Sequence, residues 1–182
     1  MTSLVRPAMI WAASWTDTVR DFGALEAMNG SGHWHAEQVE ATAEGCARFI
    51  ATVLASESAD PAGTRVASTY YWIADCGPQA SVDGEIVGFL SLRHELNEFL
   101  RAEGGHIGYS IRPARRRQGH ATRALALALA RAAELGIDDA LVTCDDNNVA
   151  SARAIERCGG TLDDVHNGKR RYWIRTTAST DA

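Results

Sequence analysis

The residues Gly104–Thr122, with the sequence GGHIGYSIRPARRRQGHAT, decide how the chain folds and where its chemistry lies. Side chains alternate within His106–Ile111, so that apolar residues and small or polar residues occupy opposite faces of a predicted strand. Pro113 ends this strand, because proline lacks an N–H group and restricts the residue before it. Gly119 then opens a long run rich in alanine and leucine. The stretch therefore predicts a strand, a tight basic loop and the start of a helix.

Three consecutive arginines, Arg115–Arg117, crowd the loop just before this helix. A helix N-terminus presents unpaired N–H groups and the positive end of the helix dipole. Positive side chains gain nothing at such a place unless an anion lies among them. The pattern predicts a phosphate-binding loop. The alternative is a solvated cluster of charges, which is what most charge runs are.

Two motifs in the second half of the chain resemble those of the GNAT family of N-acetyltransferases. Arg116–Ala121 fits the family motif R/Q-x-x-G-x-G/A, which holds the pyrophosphate of acetyl-CoA. Asp145–Gly160, with the sequence DDNNVASARAIERCGG, follows as a second signature. The resemblance extends from about Gly84 to Ile174, and it implies an N-acetyltransferase that uses acetyl-CoA as its co-substrate.

The periodicity of apolar residues predicts the element order β-α-α-β-β-β-α-β-α-β-β, with a short helical insertion before the central strand. The predicted segments are strand 4–10, helices 11–28 and 37–56, strands 66–74 and 86–92, insertion 93–100, strand 106–111, helix 120–135, strand 140–144, helix 148–158, and strands 161–166 and 170–176. Gly77-Pro78 indicates a loop, and Asp83-Gly84 and Asn167-Gly168 indicate hairpin turns. The resemblance implies an α/β (α+β) fold of GNAT type, with a mixed, mostly antiparallel sheet of about seven strands flanked by helices on both faces. We expect one domain over residues 1–177 and a flexible tail over residues 178–182.

The composition is that of an ordinary globular protein. The chain has 182 residues, of which 46% are hydrophobic and 23% charged, and its formal net charge is −5. This acidic balance argues against a general nucleic-acid binder. Because no apolar run is long enough to span a bilayer and residues 1–13 lack a signal-peptide pattern, we expect a cytoplasmic protein without a membrane partner. Four cysteines without a close Cys/His cluster predict free thiols and no metal site.

The resemblance also implies which residues bind acetyl-CoA. In the family the strand before the basic loop parts from its neighbour, and the Ile111 N–H would polarise the acetyl carbonyl and stabilise the oxyanion. Asn148 would bind the pantetheine arm, and it also suits a helix N-cap. The implied set is Ser110, Ile111, Arg112, Arg116, Arg117, Gln118, Gly119, His120, Ala121, Thr122, Asn148 and Ser151.

Two residues are equal candidates for the general base that deprotonates the acceptor amine. His106 shares a strand face with Gly108 and Ser110, whose small side chains leave room for a substrate, and an imidazole suits proton transfer at neutral pH. Glu95 leaves the neighbouring strand near the same end of the sheet, and His94 ranks just behind these two. For His106 the alternative is a surface or hydrogen-bonded histidine.

The chain departs from the family pattern at Ile155, where many relatives carry a tyrosine that protonates the leaving thiolate. A thiol with a pKa of about 8.5 is a tolerable leaving group without help. Water, Ser151 or Tyr109 are the possible substitutes. The departure supports an alternative function, a non-catalytic module that binds or senses acyl-CoA on the same fold.

The acceptor pocket of the family is built partly by the loop between the first two helices. This loop carries Trp34 between His33 and His35, and packing into the core is the alternative for the tryptophan. Trp34, His94 and Tyr109 form the predicted substrate-binding set. Since no cysteine occupies a nucleophile motif, we expect direct attack by a primary amine, by family habit that of a small molecule, in a ternary complex. The protein is expected to be a monomer or homodimer, and nucleic-acid binding by the arginine loop is a third interpretation.

Overall fold

The computed structural model describes residues 1–60, 62, 64–76 and 84–176. The strands of this part are β1 (Thr2–Val5), β2 (Ser68–Asp75), β3 (Glu85–Arg93), β4 (Ile107–Ile111), β5 (Asp139–Asp145), β6 (Thr161–His166) and β7 (Lys169–Arg175). The α-helices are α1 (Ala12–Phe22), α2 (Ala43–Ala55), α3 (His120–Glu134) and α4 (Val149–Arg157). Short 3₁₀ or π turns cover Met9–Trp11, Leu25–Ala27, His33–His35, Leu100–Gly104 and Pro113–Arg115.

The strands form a seven-stranded sheet in the order β1-β2-β3-β4-β5-β7-β6. All neighbouring pairs are antiparallel except β4 and β5, which α3 connects as a parallel crossover. The hairpin of β6 and β7 turns at Asn167-Gly168, as the sequence predicts. The predicted mixed, mostly antiparallel sheet of about seven strands is confirmed.

Helices cover both faces of the sheet, because its central strands bury apolar residues on both sides. In β3 the interior residues are all buried, and their alternation sends them to two separate cores. Leu90 packs in one core with Leu125 of α3 and Ile155 of α4. Phe89 packs in the other with Trp15 of α1 and with α2. The sheet is therefore the middle layer of three.

β4 and β5 part soon after they begin. Their ladder pairs Ile107 with Val142, although β4 continues to Ile111 and β5 to Asp145. The outer neighbours, β3 and β7, remain paired with β4 and β5 along their lengths. A V-shaped opening follows at the carboxyl ends of the two parallel strands, which is where open sheets of this kind bind ligands.

The first predicted strand, 4–10, is too long. β1 ends at Val5, and Met9–Trp11 forms a 3₁₀ turn instead. The intervening Pro7 has no N–H to donate to a ladder, so the strand stops before it.

The first two helices are also shorter than predicted. The helix expected over 11–28 ends at Phe22, because Gly23 adopts a left-handed φ of +71 at its C-cap. The helix expected over 37–56 begins at Ala43, because the Thr42 hydroxyl caps α2 at this point. The intervening chain folds as 3₁₀ turns and loop, a tertiary arrangement that apolar spacing does not reveal.

The predicted insertion 93–100 is shifted along the chain. β3 continues to Arg93, and the π turn covers Leu100–Gly104. Gly77-Pro78, Asp83 and the tail 178–182 lie outside the described residues, and the single domain over 1–177 stays a prediction. In the part of the chain that the structure describes, no helix has both the length and the apolar character needed to cross a membrane.

The loop after α1 packs directly on β4. Gly30 contacts the Gly108 carbonyl so closely that a Cβ at Gly30 would have no room. Next to it, the Ser110 hydroxyl donates to the Asn29 carbonyl at 2.7 Å. These contacts place residues 28–35 against the central strand, so that the loop and β4 form one surface.

Candidate functional site

α3 begins without a side-chain cap. Its N-cap is Gly119, which adopts a left-handed φ of +81. The Arg123 N–H donates to the Gly119 carbonyl, so the N–H groups of residues 120–122 have no acceptor within the helix. Because the helix dipole adds positive potential at the same point, these groups form an anion-binding site.

A cleft of about 810 Å³ extends from this helix end into the opening between β4 and β5. The basic loop and the start of α3 form one wall, α4 forms another, and the turn Leu25–Ala27 contributes from the opposite side. Its volume lies within the range usual for sites that bind a cofactor or a drug-sized ligand.

Two arginines beside the basic loop are held by acidic partners. Arg112 is buried against Glu85 and Asp21, and Arg115 pairs with the same Glu85 at 2.5 Å. Arg112 does not line the cleft, so the structure removes it from the predicted co-substrate set. The physical reason is that β3 and α1, both distant in sequence, supply carboxylates that neutralise this charge.

Four other arginines line the cleft, namely Arg116, Arg117, Arg153 and Arg157. None of them forms an ion pair within the described residues. Arg117 has a φ of +61, which is strained for a residue with a side chain. Arg153 and Arg157 are absent from the predicted set. Their spacing of four residues on α4, which puts both on one helix face, is the signal that could have found them.

Most of the predicted co-substrate residues line the cleft: Ser110, Ile111, Arg116, Arg117, Gly119, His120, Ala121, Thr122, Asn148 and Ser151. Gln118 does not line the cleft. Its carbonyl accepts a hydrogen bond from Arg123 Nη2 at 2.7 Å. The His120 ring is turned away and buried, with Nδ1 at 3.0 Å from the Thr2 hydroxyl oxygen. The structure therefore assigns His120 a backbone contribution only.

The free edge of β4 belongs to its odd-numbered residues. The Arg112 N–H donates to the Val87 carbonyl of β3. Since N–H groups point to alternate sides along a strand, the Ile111 N–H faces the opening towards β5, and the Ser110 N–H faces β3. The backbone of Ser110 is thus unsuited to the predicted contact, whereas that of Ile111 suits it. The side chain of Ile111 lies in the core, as expected.

Tyr109 lies in the cleft, not beside Trp34. Its hydroxyl is buried and has no hydrogen-bond partner among the described residues. Burial raises the pKa of Tyr109 to about 12, and Ser151, on the facing helix, opposes this shift slightly. The phenol is therefore protonated at neutral pH, and burial makes it a weaker acid than an exposed tyrosine.

The second signature folds as predicted around α4. The Asn148 side chain caps the helix by accepting the Ser151 N–H at 3.1 Å, so the N-cap interpretation holds, while both residues also line the cleft. Ile155 is fully buried in the core beneath α4. It offers no proton to the cleft.

His106 is engaged in structural hydrogen bonds. Its side chain is 7% exposed, and Nδ1 accepts the Leu141 N–H of β5 at 2.9 Å. Burial, followed by the nearby charges of Arg101 and Arg93, lowers the pKa of His106 to about 4. With its lone pair occupied and its basicity reduced, His106 does not fit the predicted role of general base.

The other two base candidates lie outside both cavities. Glu95 is exposed in the turn after β3. His94 is held by Thr69, with Nε2 at 2.9 Å from the hydroxyl oxygen. Neither residue lines the cleft or the smaller cavity described next, so the structure does not bring the predicted catalytic set together.

A second cavity of about 340 Å³, which we call the side chamber, lies between the loop carrying Trp34 and the π turn after β3. Trp34 lines this chamber and is 48% exposed, so packing into the core is excluded. The indole Nε1 donates to His35 Nε2 at 2.9 Å, and the Tyr70 hydroxyl lies at 2.9 Å from the same nitrogen. Arg93 completes this wall, with its guanidinium over the Trp34 ring at 5.9 Å from the centroid.

The described residues contain no cluster of metal-ligating side chains. All four cysteines are free thiols, and three of them are buried. Burial raises the pKa of both Cys46 and Cys144 to about 11, which leaves them protonated and unreactive.

Comparisons with known proteins agree with this geometry. The profile of a family described as "Acetyltransferase (GNAT) domain" matches residues 14–161. No curated protein sequence matches the chain.

Solved structures share the fold over nearly the whole chain. RimJ of Mycobacterium smegmatis, in complex with CoA-disulfide, has a TM-score of 0.64 and 20% identity, covering 96% of this chain and 81% of that chain. The Salmonella typhimurium acetyltransferase that modifies the N-terminal serine of ribosomal protein L7/L12 has a TM-score of 0.59 and 18% identity, covering 96% and 94%. The microcin C7 self-immunity acetyltransferase MccE, in complex with acetyl-CoA and AMP, has a TM-score of 0.57 and 14% identity, covering 96% and 92%.

Proposed function

The chain belongs to the GNAT family of acetyltransferases, and from that premise we propose that it transfers the acetyl group of acetyl-CoA to a primary amine of a small molecule by direct attack. The observation that carries the proposal is that one cleft holds two sets of backbone groups without partners among the described residues. The N–H groups at the start of α3 suit a pyrophosphate, and the free edge of β4 suits the pantetheine arm. Arg117, Arg153 and Arg157 add positive charge for the phosphates.

The bound thioester supplies an activated acetyl group, and residues of β4 act on it. The Ile111 N–H donates a hydrogen bond to the acetyl oxygen and stabilises the negative charge that develops there. The amine nitrogen forms a bond to the acetyl carbon, and the bond from that carbon to sulfur breaks. Tyr109 donates its proton to the sulfur, a role that Ile155 cannot fill.

The proton of the attacking amine leaves to water. Among the described residues, the histidines nearest β4 have their acceptor nitrogens occupied, His106 by the Leu141 N–H and His35 by the Trp34 N–H. Water then returns a proton to the Tyr109 phenolate, which balances the cycle. No cysteine enters the reaction, because the buried thiols lie outside the cleft lining.

The small size of the side chamber favours a small acceptor over a folded protein surface. Four of the similar solved structures carry names that point to ribosomal proteins, so an N-terminal peptide is the competing acceptor. A non-catalytic acyl-CoA sensor remains the competing class, favoured by Ile155 at the position of the usual tyrosine.

The test is turnover by the full chain with acetyl-CoA and two panels, one of small primary amines and one of short N-terminal peptides. Release of CoA thiol and the mass of the acetylated product are measured together. We expect turnover with small amines, and a Tyr109→Phe variant should lose about ten- to a hundredfold in kcat with little change in the KM for acetyl-CoA. Tyr71→Phe is the matched control, because Tyr71 packs against the same core outside the cleft lining.

Turnover with peptides alone would overturn the small-molecule acceptor. Tight binding of acetyl-CoA without turnover of either panel would favour the sensor. Full activity of the Tyr109→Phe variant would assign the thiolate proton to water.

A further inference from the structure

The side chamber contains an arginine, Arg93, that has no counter-ion among the described residues. Arg93 donates from Nη1 to the carbonyls of Gly104 and Gly105, at 3.0 and 3.2 Å. Among the described residues, no carboxylate pairs with this guanidinium, and none contributes to its pKa, which burial lowers. The arginine is therefore fixed in place and partly dehydrated, which is costly for a charge that has no anion beside it.

The fixed orientation leaves one edge of the guanidinium available. Nη1 is occupied by the two carbonyls, whereas Nε and Nη2 have no acceptor within the described residues. These two N–H groups lie parallel along one edge, which is the geometry that binds both oxygens of a carboxylate. Ser91 lies close by behind the chamber lining, and its buried hydroxyl has no partner among the described residues. Gly108 lies beside both side chains, because a Cβ built on it would be 3.3 Å from the Ser91 hydroxyl oxygen and 3.4 Å from Arg93 Nη1.

The surroundings of Arg93 are largely aromatic, and the described lining of the chamber holds two arginines, Arg65 and Arg93, against one carboxylate. Trp34 and Phe99 are exposed at the chamber, by 48% and 64%. Asp60 also lines the chamber, but its carboxylate accepts from Thr64 and from the Arg65 N–H. The local charge is thus positive, opposite to the net charge of the whole chain, and apolar surface stands ready for the body of a ligand.

The chamber lies near the start of β4, where Arg93 accompanies His106, and the reaction centre lies near its end at Ile111. Gly108, next to Arg93, precedes Ile111 by three residues, which corresponds to roughly 10 Å along a strand. An acceptor bound at both ends must therefore hold its amine several bonds away from its anionic group. An α-amino acid, with the two groups on one carbon, is too short for this span.

We propose that the side chamber binds the carboxylate of the acceptor through Arg93, so that the substrate class is an aromatic or apolar amine with a carboxylate at its far end. This inference rests on the proposed acetyl transfer for its activity readout. Its binding readout does not, because a carboxylate without an amine should occupy the chamber alone.

The experiment uses the full chain and two matched pairs of probes. 4-Methylbenzoate and 4-methylbenzamide lack a reactive amine and are titrated against Trp34 fluorescence, with a Trp34→Phe variant to assign the signal. 4-(Aminomethyl)benzoate and 4-(aminomethyl)benzamide are compared as acceptors with saturating acetyl-CoA. We expect 4-methylbenzoate to bind at least tenfold more tightly than 4-methylbenzamide. We also expect 4-(aminomethyl)benzoate to react with a kcat/KM at least tenfold higher than that of 4-(aminomethyl)benzamide.

The variants are Arg93→Gln and, as the matched control, Arg65→Gln, which removes another arginine of the chamber wall. In Arg93→Gln the preference for the benzoate over the benzamide should fall towards a ratio of one, both in affinity and in kcat/KM. The Arg65→Gln variant should retain most of this preference. A conservative Arg93→Lys variant should restore part of the preference, which a merely structural role would not predict.

Equal binding of 4-methylbenzoate and 4-methylbenzamide to the wild-type chain would overturn the proposal, and so would equal losses in the two glutamine variants. Carboxylate binding that depends on Arg93, without turnover of any amine, would support the anion site while the acetyl-transfer function fails. The two proposals can therefore fail separately.

Discussion

At the scale of single residues, His106 shows how a catalytic candidate becomes a structural one. Its pKa lies near 4, below the usual value of about 6.5, chiefly because it is buried. The unfolded chain therefore binds the proton more readily than the folded chain. The contribution of neutral His106 to the free energy of unfolding is thus complete above pH 7 and is lost as the pH falls towards 4. We expect the free energy of unfolding to drop by on the order of 2 kcal/mol over that range from this group.

A His106→Asn variant isolates this contribution, since the Asn oxygen replaces Nδ1 as acceptor for the Leu141 N–H without titrating. Urea unfolding at pH 7, 5 and 4 should show a shallower loss of stability in the variant than in the wild-type chain. Identical pH dependence in both would contradict the structural assignment. If the amine proton leaves to water, as we propose, the pH profile of kcat should not change in this variant.

At the scale of elements, the N-terminus of α3 depends on Gly119. Its φ of +81 is strained for any residue with a Cβ, and a Cβ would also lie 2.6 Å from Arg123 Nη1. Gly119→Ala should cost roughly 1–2 kcal/mol of stability. It should also weaken acetyl-CoA binding at least tenfold, because the N–H groups of the anion site shift.

Gly136 provides the control at the other end of the same helix. Its φ is +76, and nothing lies within 4 Å of a Cβ built there. Gly136→Ala should therefore show a similar loss of stability, measured by thermal unfolding, with unchanged acetyl-CoA affinity, measured by calorimetry. Equal affinity losses in both variants would mean that the effect is one of global stability and not of the anion site.

At the scale of the whole molecule, the sheet consists of two antiparallel halves, β1–β4 and β5–β7, joined at the Ile107–Val142 pair. A ligand in the cleft contacts both halves and should stabilise them together. With acetyl-CoA at a hundredfold excess over its Kd, the gain is about 2.7 kcal/mol, or about 5–10 °C in Tm for a domain of this size.

Hydrogen exchange distinguishes a bridging ligand from one bound to α3 alone. Protection should increase in β4 of the first half and in α4 beside the second half. Protection confined to residues 117–122, with β4 and α4 unchanged, would show that the cofactor does not span the opening between the halves.

The sequence by itself determined the order of the elements and a helix N-terminus suited to an anion at the start of α3, while the resemblance carried by its motifs implied the class of sheet. The first two follow from local properties: side-chain periodicity marks strands and helices, Pro113 and Gly119 mark their limits, and a helix N-terminus carries its own N–H groups. The motif Arg116–Ala121 and the second signature were enough to indicate the family. The C-terminal end of α1 and the N-terminal end of α2 were predicted less well from the sequence, because apolar spacing continues past the residues that cap these helices.

Only the tertiary structure decided which candidate side chains have partners and which face a cavity. Glu85 neutralises Arg112, and Leu141 occupies the lone pair of His106, although both partners lie on other strands. Within the described residues, the Tyr109 hydroxyl and one edge of Arg93 lack partners, and this too depends on distant elements. Partners of this kind are chosen by packing between segments far apart in the chain, so no local pattern of residues records them.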